Sequence, residues 1–111
     1  MGISPQVSTV TVTTAGTRAQ ASASSRYVVA VYVEALKTNS GVIYVGNSSV
    51  SSALYTAALS AGAGFGITAD SHGRVSTTSV GPEIQLSSIW FDTSSSGDKV
   101  QVTYFERVGT A

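Results

Sequence analysis

Tyr27-Val28-Val29-Ala30-Val31-Tyr32-Val33-Glu34-Ala35-Leu36 is the stretch that decides the fold. β-branched and aromatic residues dominate it, and these suit a pleated surface. Tyr27, Val29, Val31, Val33 and Ala35 fall on one face by two-residue alternation. Val28, Ala30, Tyr32 and Glu34 fall on the other. Only Glu34 is charged, so both faces read as largely buried, in a central strand or one covered by a partner. Thr38-Asn39-Ser40-Gly41 supplies turn chemistry, with Asn and Gly able to take positive φ. Val42 to Gly46 reads as the return strand, which makes residues 27–46 a predicted β-hairpin.

Upstream, Val7 to Thr14 alternates Val10 and Val12 against Thr9, Thr11 and Thr13, which predicts a strand. A turn at Gly16-Thr17 follows, and residues 18–25 form a weak strand or an arm. Downstream, residues 47–61 place Val50, Leu54, Ala57, Ala58 and Ala61 at helical spacing. The stretch is short, rich in Ser and Ala and flanked by Gly, which favours an ordered loop. Gly62, Gly64 and Gly66 punctuate a strand through Ile67. Arg74 to Val80, the pair Ile84 and Leu86, the run Ile89 to Phe91 and Val100 to Phe105 supply further strands, with turns at Gly81-Pro82 and Thr93 to Asp98. Seven or eight strands separated by turn signals predict a single all-β, antiparallel β-sandwich or jelly-roll domain over 1–111. Residues 1–6 form a flexible N-terminal arm in this reading, since Pro5 disfavours helix.

Composition narrows the chemistry. The 111 residues hold six Lys and Arg, six Asp and Glu, no Cys and one His, for zero net charge. Charged residues are 11% of the chain, against about 25% in an average soluble domain. The six cations are scattered singly, which argues against nucleic-acid binding, where clustered Lys and Arg displace counterions. No apolar run approaches the roughly 20 residues that span a bilayer, and the first residues lack the pattern of a signal peptide. Near-zero charge favours association, and a β-rich chain with few charges cannot blunt its strand edges with them.

Candidate catalytic constellations are incomplete. His72, in Asp70-Ser71-His72-Gly73, is the sole imidazole, which excludes multi-His metal sites. Gly46-Asn47-Ser48-Ser49-Val50 begins like a nucleophile elbow but lacks the closing Gly. Asp92 and Asp98 flank a turn and read as hairpin-end solubility rather than a glycosidase pair. Gly62-Ala63-Gly64-Phe65-Gly66 carries Ile67 where a dinucleotide loop needs its third Gly. No catalytic, cofactor-binding or metal-ligating residue is assigned. The aromatic residues remain: most sit inside strand runs, which favours core or interface packing.

The segment Asn39-Ser40-Gly41-Val42-Ile43-Tyr44-Val45-Gly46-Asn47-Ser48-Ser49-Val50-Ser51-Ser52 resembles the N-x-G-x-I-Y-V-G-N-x-x-V-[ST]-[ST] signature of small tailed-bacteriophage virion structural proteins of the capsid decoration or cement type. The likeness continues through Leu59-Ser60-Ala61-Gly62 and more loosely through Ile84, Leu86, Ile89-Trp90-Phe91 and Val100 to Tyr104. The chain departs from the signature at Ala53-Leu54-Tyr55, where a Gly is usual. The resemblance implies a non-enzymatic protein made in the host cytoplasm and carried on the phage head surface. There it binds the major capsid protein as a homo-oligomer, with a trimer favoured, and stabilises the head. Under that reading Tyr27, Tyr32 and Tyr44 serve packing or the oligomer interface, and Tyr55 and Phe65 meet a partner. No nucleic acid, membrane or cofactor is expected. Two alternatives stay open: a carbohydrate- or receptor-binding module of a phage tail or fibre, with Trp90 and Tyr55 as a stacking platform, and a head–tail connector or neck component.

Overall fold

The computed structural model describes residues 2–23, 27–68 and 84–108. Among them the protein is all-β. Ten strands form three antiparallel sheets, with one 3₁₀ turn at Leu86–Ser88 and no α-helix among the described residues. The strands are β1 (Gly2–Thr11), β2 (Ala19–Gln20), β3 (Tyr27–Val28), β4 (Ala30–Ala35), β5 (Ile43–Gly46), β6 (Ala57–Leu59), β7 (Gly64–Thr68), β8 (Ile84–Gln85), β9 (Trp90–Thr93) and β10 (Lys99–Val108). One four-stranded sheet runs β1-β10-β4-β7, a second runs β2-β9-β5-β6, and β3 pairs with β8. Three of the ten strands, β2, β3 and β8, are two residues long. The count exceeds the expected seven or eight because Val29 divides one expected strand into β3 and β4 and because β6 falls in a stretch expected as a loop. The expected strand at Arg74 to Val80, and His72, lie outside the described residues.

The strand-forming stretch 27–36 is central but one-sided. β4 lies between β10 and β7. Val31, Val33 and Ala35 are buried, whereas Tyr32 is exposed and Ala30 and Glu34 are half-buried. The strand also bends at Val29, which separates β3 from β4 and gives its N–H to the Phe105 carbonyl at 2.9 Å. That bend shifts the phase, so Val28 and Val31 are both buried while Tyr27 is exposed.

The predicted hairpin over 27–46 is not formed. β4 pairs with β10 and β7, while β5 pairs with β6 and β9 in the other sheet. Residues 36–42 therefore carry the chain from one sheet to the other, and polar groups fix that crossing. The Asn39 side-chain amide donates to the Lys99 carbonyl at 2.8 Å, and its oxygen accepts from the Lys99 N–H at 2.9 Å. It extends the β10 ladder as a backbone unit does. The Asp98 carboxylate accepts the N–H groups of Ser40 at 3.0 Å and Gly41 at 2.8 Å, and the Thr93 hydroxyl at 3.1 Å. Gly41 has no positive φ, contrary to the turn expectation. It is needed for space: a Cβ there would lie 2.8 Å from Ser95 Cβ and 3.0 Å from the Ser95 nitrogen.

One hydrophobic cluster takes buried side chains from both four-stranded sheets: Val12, Val31, Val33, Ala35, Val100 and Val102 from the first and its margin, Ile43, Val45, Leu59 and Phe91 from the second. Val28 and Leu86 join it from the smaller sheet and the turn beside it. The segment expected as a loop, residues 47–61, makes no helix and is irregular over 47–56, with Val50 fully buried, but Ala57–Leu59 form β6 against β5, a correction to that expectation. Residues 2–6, expected as an arm, lie in β1 opposite Val108 to Tyr104 of β10.

Removing the Asp98 carboxylate strands two backbone N–H groups at the crossing. Asp98→Ala is expected to lower stability by about 3 kcal/mol, measured by urea denaturation. Gly41→Ala forces the Ser94–Ser95 turn away and is expected to cost roughly 1–3 kcal/mol in the same measurement.

Candidate functional site

The five aromatic residues singled out in the sequence do not converge on one point. Tyr27 stands exposed on β3. Tyr44 projects from β5 on the face opposite the buried Ile43 and Val45, and its ring centroid lies 5.1 Å from that of Tyr55, at an interplanar angle of 36°. Tyr55 reaches it from the 47–56 loop, which the buried Val50 anchors. Phe65 turns inward on β7 and packs against the core margin. Tyr32 points the other way, to solvent.

Tyr32 belongs to a continuous surface. Its register partners place Val7, Thr103, Tyr32 and Gly66 in one row across all four strands of the β1-β10-β4-β7 sheet. The row on one side is Pro5, Phe105, Ala30 and Thr68; on the other it is Thr9, Gln101, Glu34 and Gly64. Side chains alternate across a sheet, so all twelve positions share the face turned away from Val31 and Val33. Of these, only Glu34 is charged. Val7 is 58% exposed and Tyr32 is 45% exposed. Tyr32 can lie flat across β7 because residues 64 and 66 are glycines. A Cβ at Gly64 would overlap the Tyr32 hydroxyl, and one at Gly66 would touch the ring at 3.8 Å. The result is an aromatic plate on a smooth, nearly neutral sheet face.

A concave feature lies between the two four-stranded sheets. It has a volume of about 320 Å³ and is lined by Val45, Gly46, Asn47, Thr56, Phe65, Gly66, Ile67 and Ile89. Pockets for small molecules usually begin near this size. Its lining is mainly apolar, with Asn47 and Thr56 as the polar side chains, and these residues carry no titratable group, so they can shelter an apolar group but cannot transfer a proton.

The candidate carboxylate pair, Asp92 and Asp98, is used by the fold. Asp98 holds the crossing between sheets. Asp92 accepts the N–H groups of Gly16 and Thr93 through one oxygen, both at 2.8 Å. Both residues are buried, not solubilising hairpin ends as their position beside a turn suggested. Among the described residues no three His, Cys, Asp or Glu side chains gather to hold a metal ion. No helix of the described residues is long and apolar enough to cross a membrane.

No family model, curated protein or solved structure matches the chain. The reading of its surface therefore rests on geometry and on the sequence signature. Val7, Pro5 and Thr9 are members of this surface that aromatic content alone does not reveal. Their signal was present in the sequence: no charge precedes Arg18.

The Tyr44–Tyr55 pair ties the exposed loop to the β2-β9-β5-β6 sheet. Tyr55→Ala is expected to lower stability by about 1 kcal/mol in urea denaturation, with far-UV circular dichroism unchanged.

Proposed function

We propose that the chain is a non-enzymatic structural protein of a phage particle, a decoration protein that binds the outer capsid surface as a homo-oligomer and stabilises the head. The observation that carries this reading is the four-strand face around Tyr32. Its three central rows carry one charge, Glu34, with Lys99 of the same parity at the margin, and are furnished with exposed Val7 and Tyr32, the composition of a surface that is covered in use. Interface cores are depleted in charge and enriched in aromatic residues. In this reading the two four-stranded sheets are the layers of a β-sandwich, and the signature that resembles virion proteins builds its crossing. Asn39 to Gly41 form the anchored turn, and Ile43 to Gly46 form β5. A rigid plate on a firmly pinned scaffold suits a mechanical task, in which contact area between neighbouring subunits resists internal pressure.

The Tyr44–Tyr55 pair supports a second reading, a carbohydrate-binding module, because a half-exposed tyrosine held by a neighbouring ring offers a stacking surface. Glycan-array signal lost in Tyr55→Ala would favour it.

The leading reading is tested by sedimenting the purified chain with heads of the phage that encodes it. Retention on the heads is expected, with release of the genome at a higher temperature than from bare heads. Tyr32→Lys places a charge on the plate and is expected to weaken retention about tenfold or more, the loss of roughly 1.4 kcal/mol, while the fold stays intact by circular dichroism. A chain that does not sediment with heads overturns the proposal.

A further inference from the structure

β1 is an edge strand of ten residues, and its free side is unusually open. It pairs along its whole length with β10, and no described strand lies on its other side. Pro5, Gln6, Val7, Ser8 and Thr9 are all exposed, so both faces of the strand meet solvent there. Proteins normally guard such an edge with charge, above all Lys, with Pro, or with bulges and brevity, and here Pro5 guards only the start of the strand. β1 has no charged residue and its register with β10 is unbroken.

The hydrogen-bond phase shows which groups the edge presents. Val12 donates to the Asp98 carbonyl at 2.9 Å and accepts from Gly97 at 2.8 Å, so Val12 faces β10. Orientation alternates along an antiparallel ladder. Val10, Ser8 and Gln6 therefore bond to β10, and Thr11, Thr9, Val7 and Pro5 turn their backbone groups outward. The β10 side agrees: Lys99 and Phe105 give their carbonyls to Leu36 and Val29, away from β1. Pro5, which has no N–H, thus sits where proline is tolerated on an edge. It also interrupts the outward donors, leaving Val7, Thr9 and Thr11 as an uninterrupted set.

We propose that this edge pairs with β1 of a second copy of the chain, antiparallel about a two-fold axis at Thr9. That register sets Thr9 opposite Thr9 and Val7 opposite Thr11 in both directions, so three residue pairs each exchange both backbone hydrogen bonds. Pro5 falls outside the ladder. The edge is self-complementary, as an isologous contact requires. Its neutrality means that two copies meet without repulsion, and its β-branched side chains suit cross-strand packing. The pairing joins two four-stranded sheets into one of eight strands. The proposal deepens the homo-oligomer part of the reading above, replaces the trimer with a two-fold contact, and does not depend on capsid binding.

Sedimentation-velocity analysis of the full chain, from about 1 µM to about 0.5 mM to reach the weak end of protein interfaces, tests it. A reversible monomer–dimer equilibrium is expected. Thr9→Pro removes an outward N–H and no bond to β10, so it is expected to weaken dimerisation about tenfold or more while the circular dichroism spectrum is kept. Val7→Lys, a charge on an already exposed position, is expected to act in the same direction should the proline variant fail to fold. A wild-type chain that stays monomeric, a trimer, or a folded Thr9→Pro or Val7→Lys variant that dimerises as the wild type does would overturn the proposal. Head binding without dimers would overturn this contact alone, and dimers without head binding would overturn only the capsid reading.

Discussion

The Asp98 carboxylate holds the place where the chain leaves one sheet for the other. A loop that crosses between sheets exposes backbone donors with no ladder to receive them, and leaving those donors buried and unpaired is costly. Asp98 accepts two of them and the Thr93 hydroxyl as well, while Asn39 occupies the next ladder position of β10 with its side-chain amide. With the crossing fixed, β4 and β5 present Val31, Val33, Ile43 and Val45 to a common core. Asp92 performs a similar service for the turn at Gly16. The chain has few charges, and two of its six acids are spent inside.

That economy explains the surface. Two buried acids leave fewer charged groups for the exterior, and the face around Tyr32 carries only Glu34 in its three central rows. A neutral sheet face is not in itself sticky; what gives this one character is the pairing of Tyr32 with Gly64 and Gly66. An aromatic ring over glycines replaces the side chains that the glycines lack and makes a flat plate where β7 would otherwise be bare. Flatness and low charge together lower the desolvation cost of covering this face. Rigidity lowers the ordering cost of the same step.

Much of the fold was legible. The alternation in Tyr27 to Leu36 and Val100 to Phe105 located β4 and β10, because each has a buried face that enforces period two, whereas Val7 to Thr14 located only the end of β1, where Val10 is half-buried and Val12 beyond it is buried. The Gly-punctuated strand through Ile67 and the Ser-rich turn before Asp98 were legible too. Partnering was not. Val42 to Gly46 follows β4 after turn-like residues, and a hairpin and a crossing between sheets share that local pattern. Only Asp98, more than fifty residues away, distinguishes them, and its role depends on contacts that no local window contains. The same holds for Gly41, whose value lies in its distance from Ser95 rather than in its φ. Of the candidate residues, Tyr44 and Tyr55 meet, Tyr32 anchors the face, and Phe65 and Tyr27 lie apart, because strand parity sends neighbouring aromatics to opposite sides.

The pairing of β1 with β10 has a temporal consequence. Gly2 is opposite Val108 and Thr11 is opposite Lys99, so β1 is completed by a strand that is synthesised well after it. At about 5–20 residues per second, β1 waits on the order of 5–20 s on the ribosome with both of its edges unpaired. A neutral strand of Val and Thr in that state can pair with nascent neighbours. The only local guard is Pro5, which blocks one outward donor and none of those used by β10. The absence of charge that suits this strand for a covered surface therefore makes the interval before β10 emerges its most exposed moment.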